Sequence, residues 1–83
     1  MTDSNWPPPP PARPPRSERL FEFVRARDDV LMTCEICYHG ETYGWEAVFY
    51  EGGELSHSRG GFALHEQAVQ WADEERRVLE AAR

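Results

Sequence analysis

Trp45-Glu46-Ala47-Val48-Phe49-Tyr50-Glu51-Gly52-Gly53-Glu54-Leu55-Ser56-His57-Ser58-Arg59 reads as two short strands folded about a pair of glycines. Gly52 and Gly53 take the positive φ that both centres of a two-residue primed turn require, so Glu51 faces Glu54 across a hairpin. Counting back from that turn sets Tyr50 opposite Leu55, Val48 opposite His57 and Glu46 opposite Arg59. Val48, Tyr50, Leu55, His57 and Arg59 then share one face, with a cross-strand ion pair between Glu46 and Arg59. Trp45, Ala47 and Phe49 share the other beside Ser56 and Ser58. A longer loop with a bulge would exchange the faces of the strand after the turn.

Working outward, Val30 to Tyr38 alternates in the same way, with Met32, Cys34, Ile36 and Tyr38 on one side and Thr33, Glu35 and Cys37 on the other. His39 to Gly44 is a connecting loop. Leu20 to Arg27 is ambiguous: Phe21 and Phe23 alternate with charges, whereas Leu20 and Val24 sit at helical spacing. Asp28-Asp29 ends that run. From Phe62 to Arg83 there is neither Gly nor Pro, and the spacing predicts a helix with Leu64, Ala68, Trp71, Ala72, Val78, Leu79 and Ala82 on one stripe. Glu75 falls inside that stripe, where a carboxylate needs a partner or an edge position. Val69 lies off it.

A one-sided sheet and a striped helix bury both patterns by packing together. The expected fold is therefore α+β: an antiparallel meander of three or four strands with one C-terminal helix on one face, occupying residues 19–83. Residues 1–18 form a Pro-rich arm, expected to be disordered or extended. All seven prolines lie within the first fifteen residues, and a run this short of backbone N–H groups favours polyproline II. Pro11, Pro14 and Arg16 also fit P-x-x-P-x-R, a pattern that aromatic-lined grooves recognise. A solvated spacer is the plainer role.

The run Cys34-Glu35, Gly44-Trp45-Glu46-Ala47, Gly53-Glu54-Leu55 and Ala68-Val69-Gln70-Trp71-Ala72-Asp73-Glu74-Glu75-Arg76 resembles a group of short uncharacterised bacterial proteins with a β-β-β-α core. The resemblance covers about residues 30 to 80, leaves out the arm and implies the fold alone.

Charge narrows the functions. The chain carries a formal −6 and no Lys. From Leu20 onward, six Arg stand against thirteen Asp and Glu, a net −7. Nucleic-acid affinity rests on Lys and Arg displacing counterions, so direct nucleic-acid binding is disfavoured. Were residues 18 to 27 helical, the order would resemble a double-stranded-RNA-binding domain, but Leu64-His65-Glu66-Gln67 is not the basic helix start that module uses. No stretch reaches the ~18 apolar residues of a membrane span, and the N-terminus has no secretory pattern, so a cytoplasmic setting with reduced thiols is expected.

Three constellations could carry chemistry. Cys34-x-x-Cys37 with His39, His57 and His65 offers zinc-ligand types, but strand residues three apart face opposite ways and no turn residue lies between the cysteines. A thioredoxin-like use would need the first Cys at a helix N-terminus. Ser56, His57 and Ser58 with nearby acids have hydrolase types without a nucleophile elbow. No catalytic residue, metal or cofactor is expected. The expected function is a non-catalytic protein-interaction or accessory module that contacts a partner protein or a second copy through Val48, Tyr50, Leu55, His57 and Arg59. The alternatives are an acidic nucleic-acid mimic that inhibits a DNA- or RNA-handling enzyme and, behind it, a small metal- or redox-active protein using the two cysteines.

Overall fold

The computed structural model describes residues 16–81; the Pro-rich run and residues 82–83, including Ala82 of the expected stripe, lie outside the described residues. Four antiparallel strands form one sheet in the order β1 (Arg16–Val24), β2 (Leu31–Tyr38), β3 (Trp45–Glu51) and β4 (Glu54–Phe62). Helix α1 (His65–Ala81) packs on one face. This is the expected α+β meander, with four strands.

The ambiguous N-terminal run is a strand, and a bulge explains its mixed periodicity. Arg19 pairs with Glu35 and Phe21 with Cys34, leaving Leu20 as an extra residue. The bulge resets the alternation so that Phe21 and Phe23 face the helix while Leu20 also packs against the core. Pairing starts at Arg16 with Tyr38, three residues earlier than composition placed the domain boundary. Ser17 and Glu18 thus belong to the sheet.

Met32, Cys34, Ile36, Ala47, Phe49, Ala68 and Ala72 are fully buried. The inward sets of β2 and β3 are those the alternation predicts. Phe49 is the hub of the aromatic packing: Phe21, Phe23, His57 and Trp71 have ring centroids 4.8–6.4 Å from it. Two small residues of α1, Ala68 and Ala72, let the helix come close to the sheet. The helix is shorter than its pattern. Phe62 pairs with Trp45 as the end of β4, and the Leu64 N–H donates to Gln67 Oε1 at 3.0 Å, a side chain reaching back from the first turn to cap the helix. Leu64 and Val78 stay exposed, whereas Val69, off the stripe, touches the core.

The β1–β2 turn holds a feature that sequence reading missed, a buried arginine. Arg25 is 4% exposed. Its guanidinium grips Asp28 through Nε at 2.9 Å and Nη2 at 2.7 Å, and Nη1 reaches Glu51 at 2.7 Å. Two strand ends and a turn are clamped by one planar fork, which matches carboxylate geometry. The Arg25 hydrogen bonds hold the Asp28 carboxyl below its ordinary value. A lowered folded-state value means the pair stabilises fully above about pH 4 and that this contribution is lost as pH falls through the depressed value. Accordingly, Asp28→Asn should lower the melting temperature at about pH 6 and shrink its deficit towards about pH 2, read by circular dichroism melts of both chains. A deficit independent of pH would contradict the clamp.

Candidate functional site

The hairpin turn forms as expected, with Gly52 and Gly53 at φ 56° and 90° and Glu51 opposite Glu54. One residue later the register departs from the strict count. Tyr50 pairs with Leu55, but Phe49 pairs with His57, leaving Ser56 as a bulge. His57, Ser58 and Arg59 change sides, until a second irregularity between Ala47 and Trp45 sets Phe62 opposite Trp45. His57 and Arg59 therefore leave Val48, Tyr50 and Leu55 and turn to the helix side, so the five expected contact residues do not share a surface. The expected Glu46–Arg59 ion pair is replaced: Glu46 Oε1 lies 2.7 Å from His39 Nε2, and Arg59 stands 5.4 Å over the Phe62 ring.

The reason for the bulge lies in the core. In strict register, Ser56 and Ser58 would face Phe49 and Trp71 and leave unfilled volume. With Ser56 extruded, the His57 imidazole stacks on Phe49 at 4.8 Å with planes 2° apart, and Trp71 meets it edge-on at 6.2 Å. The same rotation supplies Glu75 with its partner: His57 Nε2 lies 3.2 Å from Glu75 Oε1. The carboxylate inside the apolar stripe is a half-buried group held by a histidine.

Ser56 Oγ lies 2.9 Å from His57 Nδ1, so a hydroxyl, an imidazole and a carboxylate are joined in series. That order matches a hydrolytic relay in connectivity. The geometry around it does not complete one. Ser56 stands exposed on β4, and a nucleophile needs donors around a held carbonyl. The chain of bonds fixes β4 to α1.

Each of the three histidines has a glutamate beside it: His39 with Glu46, His57 with Glu75, and His65 with Glu18 at 3.5 Å. These pairs draw side chains away from shared ligation. Among the described residues no three His, Cys, Asp or Glu side chains gather at one point. Cys34 faces the helix and Cys37 the other side, as alternation requires. Cys37 is nevertheless buried at 7% exposure, because Ser17 and Glu46 flank it along the sheet, so the expected contrast between an inner and an outer thiol is smaller than alternation implies. Burial pushes the Cys34 thiol up to about 12 and raises that of Cys37 as well. Both thiols are thus held in the weakly nucleophilic protonated form.

The sheet face away from the helix remains. Rows across it place Val24 beside Leu31, Thr33 beside Tyr50 and Leu55, and Glu35 beside Val48 and Ser58. Val24, Leu31 and Leu55 are 53%, 49% and 67% exposed. Val24 and Leu31 join the patch where the sequence had suggested His57 and Arg59. Val24 was legible only once β1 was known to be a strand. Toward the other end, Glu35 receives a hydrogen bond from Ser17 Oγ at 2.8 Å, while Glu22, beside Thr33 on the edge strand, is bridged by Arg19. Burial, with Glu35 next, raises the Tyr50 phenol and keeps it neutral. No helix of the described residues is long and apolar enough to cross a membrane. Comparison with protein-family models, curated proteins and solved structures returns no match.

Proposed function

We propose that the chain is a non-catalytic protein-binding module whose contact surface is the sheet face opposite α1. The observation that supports this reading most is the patch of Val24, Leu31 and Leu55 around Tyr50, exposed on the one face the helix leaves uncovered. Apolar groups gathered on one side of a small sheet lower their free energy when a partner covers them. Tyr50 adds a rigid ring with a polar tip, the type that anchors interfaces. Glu35 at the margin favours a partner that brings basic groups to the rim.

The acidic-mimic alternative needs rows of unengaged carboxylates. Here Asp73 is bridged by Arg76 and Arg77, Glu75 by His57, Glu22 by Arg19 and Glu46 by His39. That weighs against it. The test is the double variant Tyr50→Glu with Leu55→Glu. Partner capture should be lost while the circular dichroism spectrum stays native, and wild-type capture should persist as salt is raised, because apolar contact is not screened. Capture that survives the double substitution and disappears in high salt would transfer the proposal to charge mimicry.

A further inference from the structure

Trp45 stands at the far end of the helix-side face from the Arg25 clamp. With Ser17, Glu18 and Ile36 it lines a cavity of about 300 Å³, the lower end of the range for ligand sites. The Tyr38 ring lies 4.6 Å from the Trp45 ring, and the His65 imidazole meets it edge-on at 4.7 Å. Glu18 reaches His65 Nε2 at 3.5 Å while its side chain stays 70% exposed. The site is one aromatic wall, Trp45, held in place by Tyr38 and His65, with one accessible carboxylate beside it.

Such a wall suits proline. The pyrrolidine ring is rigid and apolar, and a polyproline II helix is ordered before it docks, so little entropy is lost on binding. A carboxylate beside the aromatic floor adds selection for a basic residue in the ligand. This chain carries that ligand in its own sequence: Pro7 to Pro11, Ala12, Arg13, Pro14 and Pro15, preceded by Trp6.

We propose that the Trp45 cavity binds the Pro-rich segment, residues 6–15, of a second copy of this chain, with prolines against Trp45 and Arg13 at Glu18, so that two copies exchange their segments. The reach of the segment argues for a second copy. Pro15 directly precedes Arg16, whose backbone pairs with Tyr38, and Ser17 and Glu18 line the cavity. The segment is therefore joined to its own chain at the rim of the cavity, and what decides between its own cavity and a neighbour's is reach. Extended at ~3.1 Å per residue, Pro7 to Pro15 spans about 28 Å, enough to reach a neighbouring copy. Charge agrees, since Arg13 meets a glutamate on a chain of net −6. The site is separate from the outer sheet face, and its failure would leave that proposal standing.

A charge exchange on full-length chains tests it. Sedimentation equilibrium of the wild type should reach twice the 9.6 kDa chain mass as concentration rises. Glu18→Arg and Arg13→Glu, each alone, should weaken dimerisation about tenfold or more, because each sets like charges together. Mixing the two variants should restore dimers, since each segment then meets a cavity of opposite charge. Trp45→Ala, checked for native circular dichroism, should also abolish dimers. A wild type that stays monomeric, dimers that persist in both single variants, or a mixture no better than its components would each overturn the proposal. The last result would point to a segment bound by its own chain.

Discussion

Replacing Phe49 with alanine is expected to remove a large part of the protein's stability, about 3–5 kcal/mol. The ring is fully buried, with four other rings packed around it. Removing it costs the transfer free energy of the lost atoms plus a term for the cavity, about 3–5 kcal/mol for Phe→Ala in a core. A domain of this length holds about 3–10 kcal/mol in total. The loss is concentrated, because Phe49 supports the His57 stack and through it the Glu75 contact. Collapse around the cavity would need β4 and α1 to move together. Urea unfolding followed by tryptophan fluorescence measures the change. Leu55→Ala is the control: the side chain is two-thirds exposed and its loss should fall within about 0.5 kcal/mol of wild type. Equal, small losses for both would mean that the sheet and helix do not pack around Phe49.

The contrast between those two residues shows how far the sequence could be read. Alternation placed Met32, Cys34, Ile36, Ala47 and Phe49 inward because period-two patterning survives wherever one face is buried. The turn was equally legible, since few sequences other than paired glycines suit two positive φ values. What escaped were the bulges at Leu20 and Ser56 and the second irregularity of β4, between Arg59 and Phe62. A bulge is chosen by what the core needs across the sheet. Extruding Ser56 puts an imidazole between Phe49 and Glu75, and no local spacing along β4 records that need. The contact face inherited the error, since a one-residue slip reassigns the side chains that follow it, here His57 to Arg59. Leu55, before the slip, was placed correctly; His57 and Arg59, after it, were not.

Arg25 escaped for another reason. In sequence it is one charge in an Arg-Ala-Arg-Asp-Asp run, the usual mark of a solvated turn. Its burial depends on Glu51, twenty-six residues away, coming to the same end of the sheet. Glu75 was visible as an anomaly, and only its partner was missing. A polar residue inside an apolar stripe signals a contact without naming it, because the stripe is local and the partner is brought in by the fold.

The second large effect is expected at Gly44. This residue has φ 71°, and a Cβ there would run into the backbone carbonyl oxygen of Phe62. Neither group can yield cheaply. Phe62 is paired with Trp45, while Gly44 accepts from the His39 N–H at 2.9 Å and donates to the Gly40 carbonyl at 2.7 Å. Gly44→Ala therefore adds an overpacking cost of about 1–3 kcal/mol to the left-handed backbone cost of about 1–2 kcal/mol. Gly53 separates the two, since its φ is 90° with nothing within 4 Å of an added Cβ. Gly53→Ala should lose only the backbone cost, less the small gain from restricting the unfolded chain. Denaturant midpoints should thus place Gly44→Ala at least about 1 kcal/mol below Gly53→Ala, and equal midpoints would refute the close approach. The damage should also be local in function. Opening the Trp45–Phe62 end disturbs the aromatic wall of the cavity, whereas Tyr50 and Leu55 sit beside the opposite turn. Any Gly44→Ala chain that remains folded should lose self-association through the Pro-rich segment before it loses capture by the outer face.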